Sequence, residues 1–427
     1  MKSKNTRRRT LPALVILLVV AVAGGGAILA ACGGDESTGD ATTSAAPIKI
    51  GAPLPITGAY ALDGQHMKTG MELAIDDLNA KGGVLGRQLE LVTFDIGELA
   101  AEDINASAEF LLGKEKVDLV VEGYADYGTD FLAYGARSDV PFFNGTASSK
   151  AADLATEDPE AYWNMFDAFP IEADWGRRAW DGVLQFESNY QIPAKRIGII
   201  HGDLEWDLKY TESIAAEAKK AGWTVVVNET VPYGTTDWGP VLTQLRAANP
   251  TVVSASFLSV KDISSFVNQF MEDPPNALLD IGAMIVYKDV QDAVGKPLIG
   301  VQGYVTSYLP PSATNDAFKA RYKTKFGFDL PLTTPPSTYD SILIWAQAVE
   351  AVGDPTKYKE ISDYIKTHPY QGLSGAYDFN NSGQTVLYGP DFPIGYAQYA
   401  GDHKLLFYGV DDFFLPPWIQ PPWPEAQ

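Results

Sequence analysis

The sequence predicts an α/β chain made of two similar units in series, and three observations predict it. Strand-like and helix-like apolar periods alternate from Ile48 to Phe143. The same alternation restarts at Arg196. An apolar content of 46% over 427 residues is enough for two full cores.

The first unit opens with an apolar, strand-like run from Ile48 to Ile56. Met67, Met71, Ala74, Ile75 and Leu78 then recur at helical spacing, and Lys81-Gly82-Gly83 is the expected helix stop. Leu89, Leu91 and Phe94 return to a strand; Ile104, Ala108, Leu111 and Leu112 mark a second helix. Val117 to Val121 reads as a buried strand, Phe131 to Ala136 as helical, and Val140 to Phe143 as a short strand. This order implies a parallel sheet covered on both faces. In the second unit the strands are Arg196 to Ile200, Thr224 to Val227 and Val252 to Phe257. Between and after them, Tyr210 to Ala221, Val241 to Ala248 and Ile263 to Phe270 are helical. A last long helix, Tyr339 to Val352, carries Ile342, Trp345, Ala346 and Val349 on one stripe.

Open parallel sheets bind ligands beyond the carboxyl ends of their strands, so the loops after strands are the candidate sites. They are Pro55 to Gln65, Gly123 to Asp130, Asn144 to Ser149 and, in the second unit, His201 to Asp207. Asn144-Gly145-Thr146-Ala147-Ser148-Ser149 combines hydroxyls, backbone N–H groups and a helix start near Ser149, which suits a carboxylate. A plain helix cap would use the same residues. Tyr60, Tyr124, Tyr127 and Trp206 offer faces for an apolar or cationic group, although each alone also suits simple packing. Asp126 and Asp130 suit an ammonium, or a solvated acidic loop.

Charge and histidine usage narrow the function. The net charge is −22, and the first 31 residues contribute +5 of the opposite sign, leaving about −27 on the rest. Such a surface repels nucleic acid and anionic headgroups. Only four histidines occur, with no H-E-x-x-H pair, no G-x-S-x-G elbow and no P-loop. No two carboxylates are marked as an acid and base pair, so the chain reads as a non-enzyme with neither cofactor nor metal. His201 closes a strand and lies next to a candidate loop.

The N-terminus has the three parts of an export signal: MKSKNTRRRT, an apolar run from Leu11 to Ala31, and small residues before Cys32. Cys32 is the only cysteine of the chain. Leu29-Ala30-Ala31-Cys32 resembles a bacterial lipobox, in which the cysteine becomes the lipid-bearing N-terminus. The competing reading is a retained membrane anchor, since the run is just long enough to span. The polar stretch GGDESTGDATTSAAP after it reads as a tether.

The stretch IKIGAPLPITGAYALDGQHMKTGMELAIDDLNAKGGVLGRQLELVTFD resembles the opening of type I periplasmic binding proteins of ABC importers, in the branch for branched-chain amino acids and amides. LNAKGG-x-x-G is its most specific element. VPFFNGTASS, FDAFPIEADWG, STYDSILIWAQAVEAVG and YQGLSGAYDFNNSG are similar to further elements of that family, in the right order. The resemblance implies two Rossmann-like lobes joined by three crossings, near Asp167, Tyr304 and Tyr370. It divides the chain into a signal peptide (1–31), a tether (32–47), an N-terminal lobe (48–167 plus about 305–370), a C-terminal lobe (168–304 plus about 371–410) and a Pro-rich tail (411–427). It implies that Thr146, Ala147 and Ser148 grip a ligand carboxylate and that Trp206 covers the ligand. Phe257 or Leu258 would add to that cover, and Tyr60 to Leu62 would form the side-chain wall. The family's small, Ser-rich loop is replaced here by GYADYGTD, its usual Arg by Asp167, and its acidic residue by no clear match except Asp289. These departures point from branched-chain amino acids toward an aromatic or amide-bearing ligand. The implied partners are a small amino-acid-like ligand, an ABC permease and, through Cys32, the membrane. The alternative is a ligand-sensing protein for another membrane partner.

Overall fold

The computed structural model describes residues 46–58, 60–123, 133–135, 138–145, 148–305 and 307–408. The signal, nearly all of the tether, the Pro-rich tail and Cys32 lie outside the described residues. So does most of the Phe131 to Ala136 segment.

The first sheet contains β1 (Ile48–Leu54), β2 (Leu89–Asp95), β3 (Leu119–Val121), β4 (Phe142–Asn144) and β5 (Met165–Asp167), in the order β2-β1-β3-β4-β5. All its pairings are parallel. Six of the seven β1 residues are buried, as a strand covered on both faces requires, whereas β2 at the edge is half-exposed. Helix α1 (Ala61–Asn79) buries Met67, Met71, Ala74 and Ile75, the residues whose spacing predicts it. It ends through Gly82 and Gly83, both at positive φ. A Cβ on Gly83 would sit 1.8 Å from the Arg87 carbonyl oxygen, so only glycine fits this stop. Helix α2 (Ala101–Ala108) and α3 (Ser149–Glu157) complete the first pass.

The chain then crosses to α4 (Glu172–Asn189) and builds a second sheet. Strands β6 (Arg196–His201), β7 (Thr224–Thr230), β8 (Val252–Ser256), β9 (Leu278–Asp280) and β10 (Gln302–Val305) pair in parallel in the order β10-β9-β8-β6-β7. Taken from the opposite edge, this is the strand order of the first sheet. The helices are α5 (Glu205–Lys220), α6 (Gly239–Ala248), α7 (Val260–Glu272) and α8 (Lys288–Val294). The second crossing returns the chain to α9 (Ala313–Phe326), α10 (Pro335–Val352) and α11 (Tyr358–Thr367), which close over the first lobe.

One expectation needs correction. The third crossing does not fall near Tyr370. The hairpin β11 (Tyr370–Gln371) and β12 (Ala376–Tyr377) packs Leu373, Tyr377 and Phe379 into the first lobe's core, together with Phe392. The chain enters the second sheet only at β13 (Gly395–Gly401). The YQGLSGAYDF segment carries enough apolar surface to stay with the core it touches first. The second sheet, parallel over β6 to β10 as the fold class implies, is extended by β13 and β14 (Lys404–Tyr408), which join its β10 edge antiparallel. A chain arriving from the hinge runs opposite to β10, and the tight turn at Asp402 and His403, both at positive φ, reverses it once more. Among the described residues no helix is long and apolar enough to cross a membrane.

Asp340 of α10 lies wholly inside the first lobe and accepts the Leu373 amide at 2.8 Å, with the Ser374 amide and the Tyr377 hydroxyl close by. It fastens the β11–β12 turn to α10. Burial pushes its carboxyl up to about 7, against these donors. Unfolding returns it to an ordinary aspartate near 3.8. Its contribution therefore favours the fold at acid pH and is lost as pH rises from about 4 to about 7. Asp340→Asn should reduce the fall in melting temperature between pH 5 and pH 8. An unchanged difference, measured by circular dichroism, would contradict this role.

Candidate functional site

Both sheets reverse their strand order beside their first strand, between β1 and β3 and between β6 and β8. The carboxyl ends of the strands at such switch points are where open α/β sheets take ligands.

On the first lobe, β1 leads into α1 through Ile56 to Tyr60. Asp95 at the end of β2 accepts the Ile56 and Thr57 amides, the Gly97 amide and the Thr57 hydroxyl, the last at 2.6 Å. Burial pushes the Asp95 carboxyl up, but the Thr57 hydroxyl and these amides outweigh it and hold it below the usual range. The turn is thereby anchored. Tyr60 at its end is half-buried, and its hydroxyl is pushed up by burial and by Glu98. Leu62 stands 50% exposed on the first turn of α1, next to Asp63.

The Asn144 to Ser149 loop uses much of its capacity internally. Ser148 is buried, and its hydroxyl accepts the Ala151 amide at 3.2 Å as the N-cap of α3. The Ser149 amide and hydroxyl donate to Glu172 Oε2 at 2.6 and 2.7 Å. A carboxylate does sit at this helix start, as the residue types suggested, but it is the chain's own, from the first turn of α4 beyond the crossing. Burial pushes Glu172 up to about 6, against the Ser149 donors. Thr146, Ala147, Tyr124, Tyr127, Asp126 and Asp130 lie outside the described residues.

On the second lobe, β6 ends at His201, and α5 starts at Glu205, earlier than its apolar period indicates. Trp206 and Asp207 thus lie in a helical turn, with Glu205 and Asp207 complementing the helix dipole. Trp206 is 8% exposed, with its ring 6.4 Å from Tyr304 at the end of β10. Its Nε1 finds no acceptor among the described residues. Phe257, by contrast, is 1% exposed and packs edge-on to Trp238 at 5.1 Å and Tyr233 at 5.9 Å. It belongs to the core, so of the two adjacent candidates Leu258 is the one that keeps accessible surface. Asp289 is exposed on α8. The buried acid of this region is Asp280, which accepts the Tyr210 and Tyr396 hydroxyls at 2.8 and 2.7 Å. Burial pushes its carboxyl up, against those donors.

The lobes meet where Tyr287 Oη approaches Asp63 Oδ2, at 3.4 Å. Burial and then Asp63 raise the Tyr287 hydroxyl well above its ordinary range, so the phenol stays protonated as the donor. Sequence reasoning did not select Asp63, Glu172, Asp207 or Tyr287. Asp63 was within reach, lying beside Leu62 in the first helical turn. Among the described residues no group of three His, Cys, Asp or Glu could hold a metal ion.

Two α/β lobes of the same strand order, joined by three crossings and meeting at Tyr287 and Asp63, have the architecture of a two-lobed solute-binding protein. The chain belongs to the periplasmic binding protein family, whose match spans residues 47–388. It is 26% identical over 323 residues to Leu/Ile/Val-binding protein homolog 7 of Brucella abortus (strain 2308), covering 70% of this chain and 74% of that protein. A crystal structure from Silicibacter pomeroyi, of a protein assigned to branched-chain amino acid ABC transport, is similar with a TM-score of 0.83 and 26% identity. It covers 88% of this chain and all of that one. A solute-binding protein from R. palustris, solved with benzoate, shares the fold with a TM-score of 0.68 at 17% identity, covering 89% of this chain and 97% of that one.

Glu172→Ala leaves the Ser149 amide and hydroxyl without their acceptor. It should cost about 1–3 kcal/mol in urea unfolding. Glu172→Gln, which keeps an acceptor oxygen, should recover most of the loss. Equal stability of parent and alanine variant would remove Glu172 from this role.

Proposed function

We propose that the chain is an extracytoplasmic, lipid-anchored binding protein that captures a small amino-acid-like or aromatic organic acid between its lobes and hands it to an ABC permease. The observation that carries the reading is the buried Trp206 N–H. It sits at the second lobe's switch point beside Tyr304, with no acceptor among the described residues. A buried donor without a partner costs about 1–3 kcal/mol, which a ligand acceptor would recover.

In this reading Tyr60, Leu62 and Ser148 belong to the first wall, with Thr146, Ala147, Tyr124 and Tyr127 as its further members. Trp206 and Leu258 form the second. Ligand favours the closed state through contacts with both walls, and the closed form docks on the permease. An aromatic second wall suits a flat ligand better than a branched aliphatic one. The fold neighbour solved with benzoate supports that direction, and the Leu/Ile/Val-binding homologue supports an α-amino acid. Cys32 carries the lipid in this reading, which keeps the protein on the outer side of the membrane.

A thermal-shift panel of amino acids, short amides, aromatic acids and small dicarboxylates tests the ligand class. At about 100 times its Kd a ligand stabilises by about 2.7 kcal/mol. Trp206→Phe keeps the ring and deletes the N–H, and should weaken the best panel ligand about tenfold in titration calorimetry. Equal affinity would take Trp206 out of the site. Independently, Cys32→Ser should end labelling by radioactive palmitate. Continued labelling would refute lipidation at this residue.

A further inference from the structure

Asp207 is buried beside the second wall and is not needed for any step described above. It is fully covered, although it lies only one residue from Trp206 at the mouth of the switch point. Its Oδ1 accepts the Ser256 hydroxyl at 2.6 Å, and its Oδ2 accepts the Tyr233 hydroxyl at 2.5 Å. The Tyr233 oxygen in turn accepts the Leu258 amide at 2.7 Å. The Gly234 amide, next to Tyr233, donates to Asp262 in the first turn of α7 at 3.0 Å. One carboxylate therefore connects the loops that follow β6, β7 and β8.

We propose that Asp207 is the positioning residue of the second wall: through Ser256 and Tyr233 it locks three strand-end loops together, so that Trp206 and Leu258 face the ligand in one fixed arrangement. This rests on the binding role assigned above to those two residues.

Three features support the assignment. The space is reserved: a Cβ on Gly202 would lie 2.3 Å from the Tyr233 ring and 2.6 Å from Asp207 Oδ2, so glycine is required where β6 ends. The partners are polar without need. A buried carboxylate adds little net stability over well-packed apolar groups, so directional bonds that fix one loop arrangement are the gain it offers. The geometry is also transmitted directly. Asp207 and Trp206 are neighbours in one helical turn, so fixing one carboxylate fixes the rotation of the turn that presents the indole.

The tie carries a titration signature. Burial pushes the Asp207 carboxyl up to about 7, against the Ser256 and Tyr233 donors, and Asp203 raises it further. The other titratable groups nearby are Tyr233 itself, Tyr304 and His201 at the end of β6. Ionised, Asp207 accepts both hydroxyls. Protonated, it turns one oxygen into a competing donor and weakens the tie. Fixation of the wall should therefore decline as pH falls from 8 to 6.

Hydrogen exchange of the full-length, ligand-free protein, read at the Leu258 amide by mass spectrometry with fragmentation, tests the tie without any ligand. Tyr233→Phe keeps the ring and removes the hydroxyl. It should lower Leu258 protection about tenfold while leaving the melting temperature near that of the parent. Asp207→Asn, which like the protonated acid offers one acceptor oxygen and one donor, should hold Leu258 protection at the parent's pH 6 level and lose its dependence on pH between 6 and 8. With benzoate or L-phenylalanine, whichever gives the larger thermal shift in the parent, Tyr233→Phe should weaken affinity about tenfold. Unchanged Leu258 protection in Tyr233→Phe, or an unchanged pH dependence in Asp207→Asn, overturns the tie. Lost protection with unchanged affinity overturns the positioning role alone. Absence of any ligand shift in the parent would instead count against the binding reading, and the exchange result would still decide the tie.

Discussion

Parallel strands are the constraint on which everything else rests. A parallel pair cannot be closed by a hairpin, so each strand must be followed by a crossover, and every strand of a sheet sends its carboxyl end to the same edge. Done twice with the same strand order, this sets two groups of loops at two switch points. Buried strands such as β1 and β8 leave no room for function within the sheets. Chemistry is confined to the strand ends, and the two lobes meet at Tyr287 and Asp63.

The second theme is the use of buried carboxyls in a strongly acidic chain. Asp207, Asp280, Asp340 and Glu172 are each almost completely covered, and each is pushed up by burial. Each also accepts hydrogen bonds from a segment other than its own. Asp340 joins a helix to a hairpin, Glu172 joins α4 to the start of α3 across a crossing, and Asp207 joins three loops. An acid used in this way is a connector. Its oxygens accept from several directions at once, which no apolar side chain can do.

Local order was largely legible in the sequence. Met67, Met71, Ala74 and Ile75 specify the buried face of α1, and Lys81-Gly82-Gly83 its end, because side-chain spacing and positive φ are properties of neighbours. The three-residue strands β3 and β4 were legible as apolar runs, whereas β5 and β9, equally short, were not, since so short a run carries no period. The start of α5 was hidden because Glu205 and Asp207 read as a polar loop, whereas at a helix start they complement its dipole. Of the candidate site residues, Trp206 keeps a buried place at the switch point, while Phe257 turns into the core where Trp238 and Tyr233 receive it.

By itself the sequence determined the α/β class, the two serial units, the positions of the strand-end loops and the kind of residues they carry. These follow from periodicity and from steric limits on the backbone, which act over a few residues. Only the tertiary structure decided that the third crossing waits until Phe392, that Glu172 takes the start of α3, and that Asp207 meets Tyr233 and Ser256. Those partners are 23 to 49 residues apart in the chain. Contacts of that kind arise only when separate elements pack, and no local pattern encodes which of them will meet.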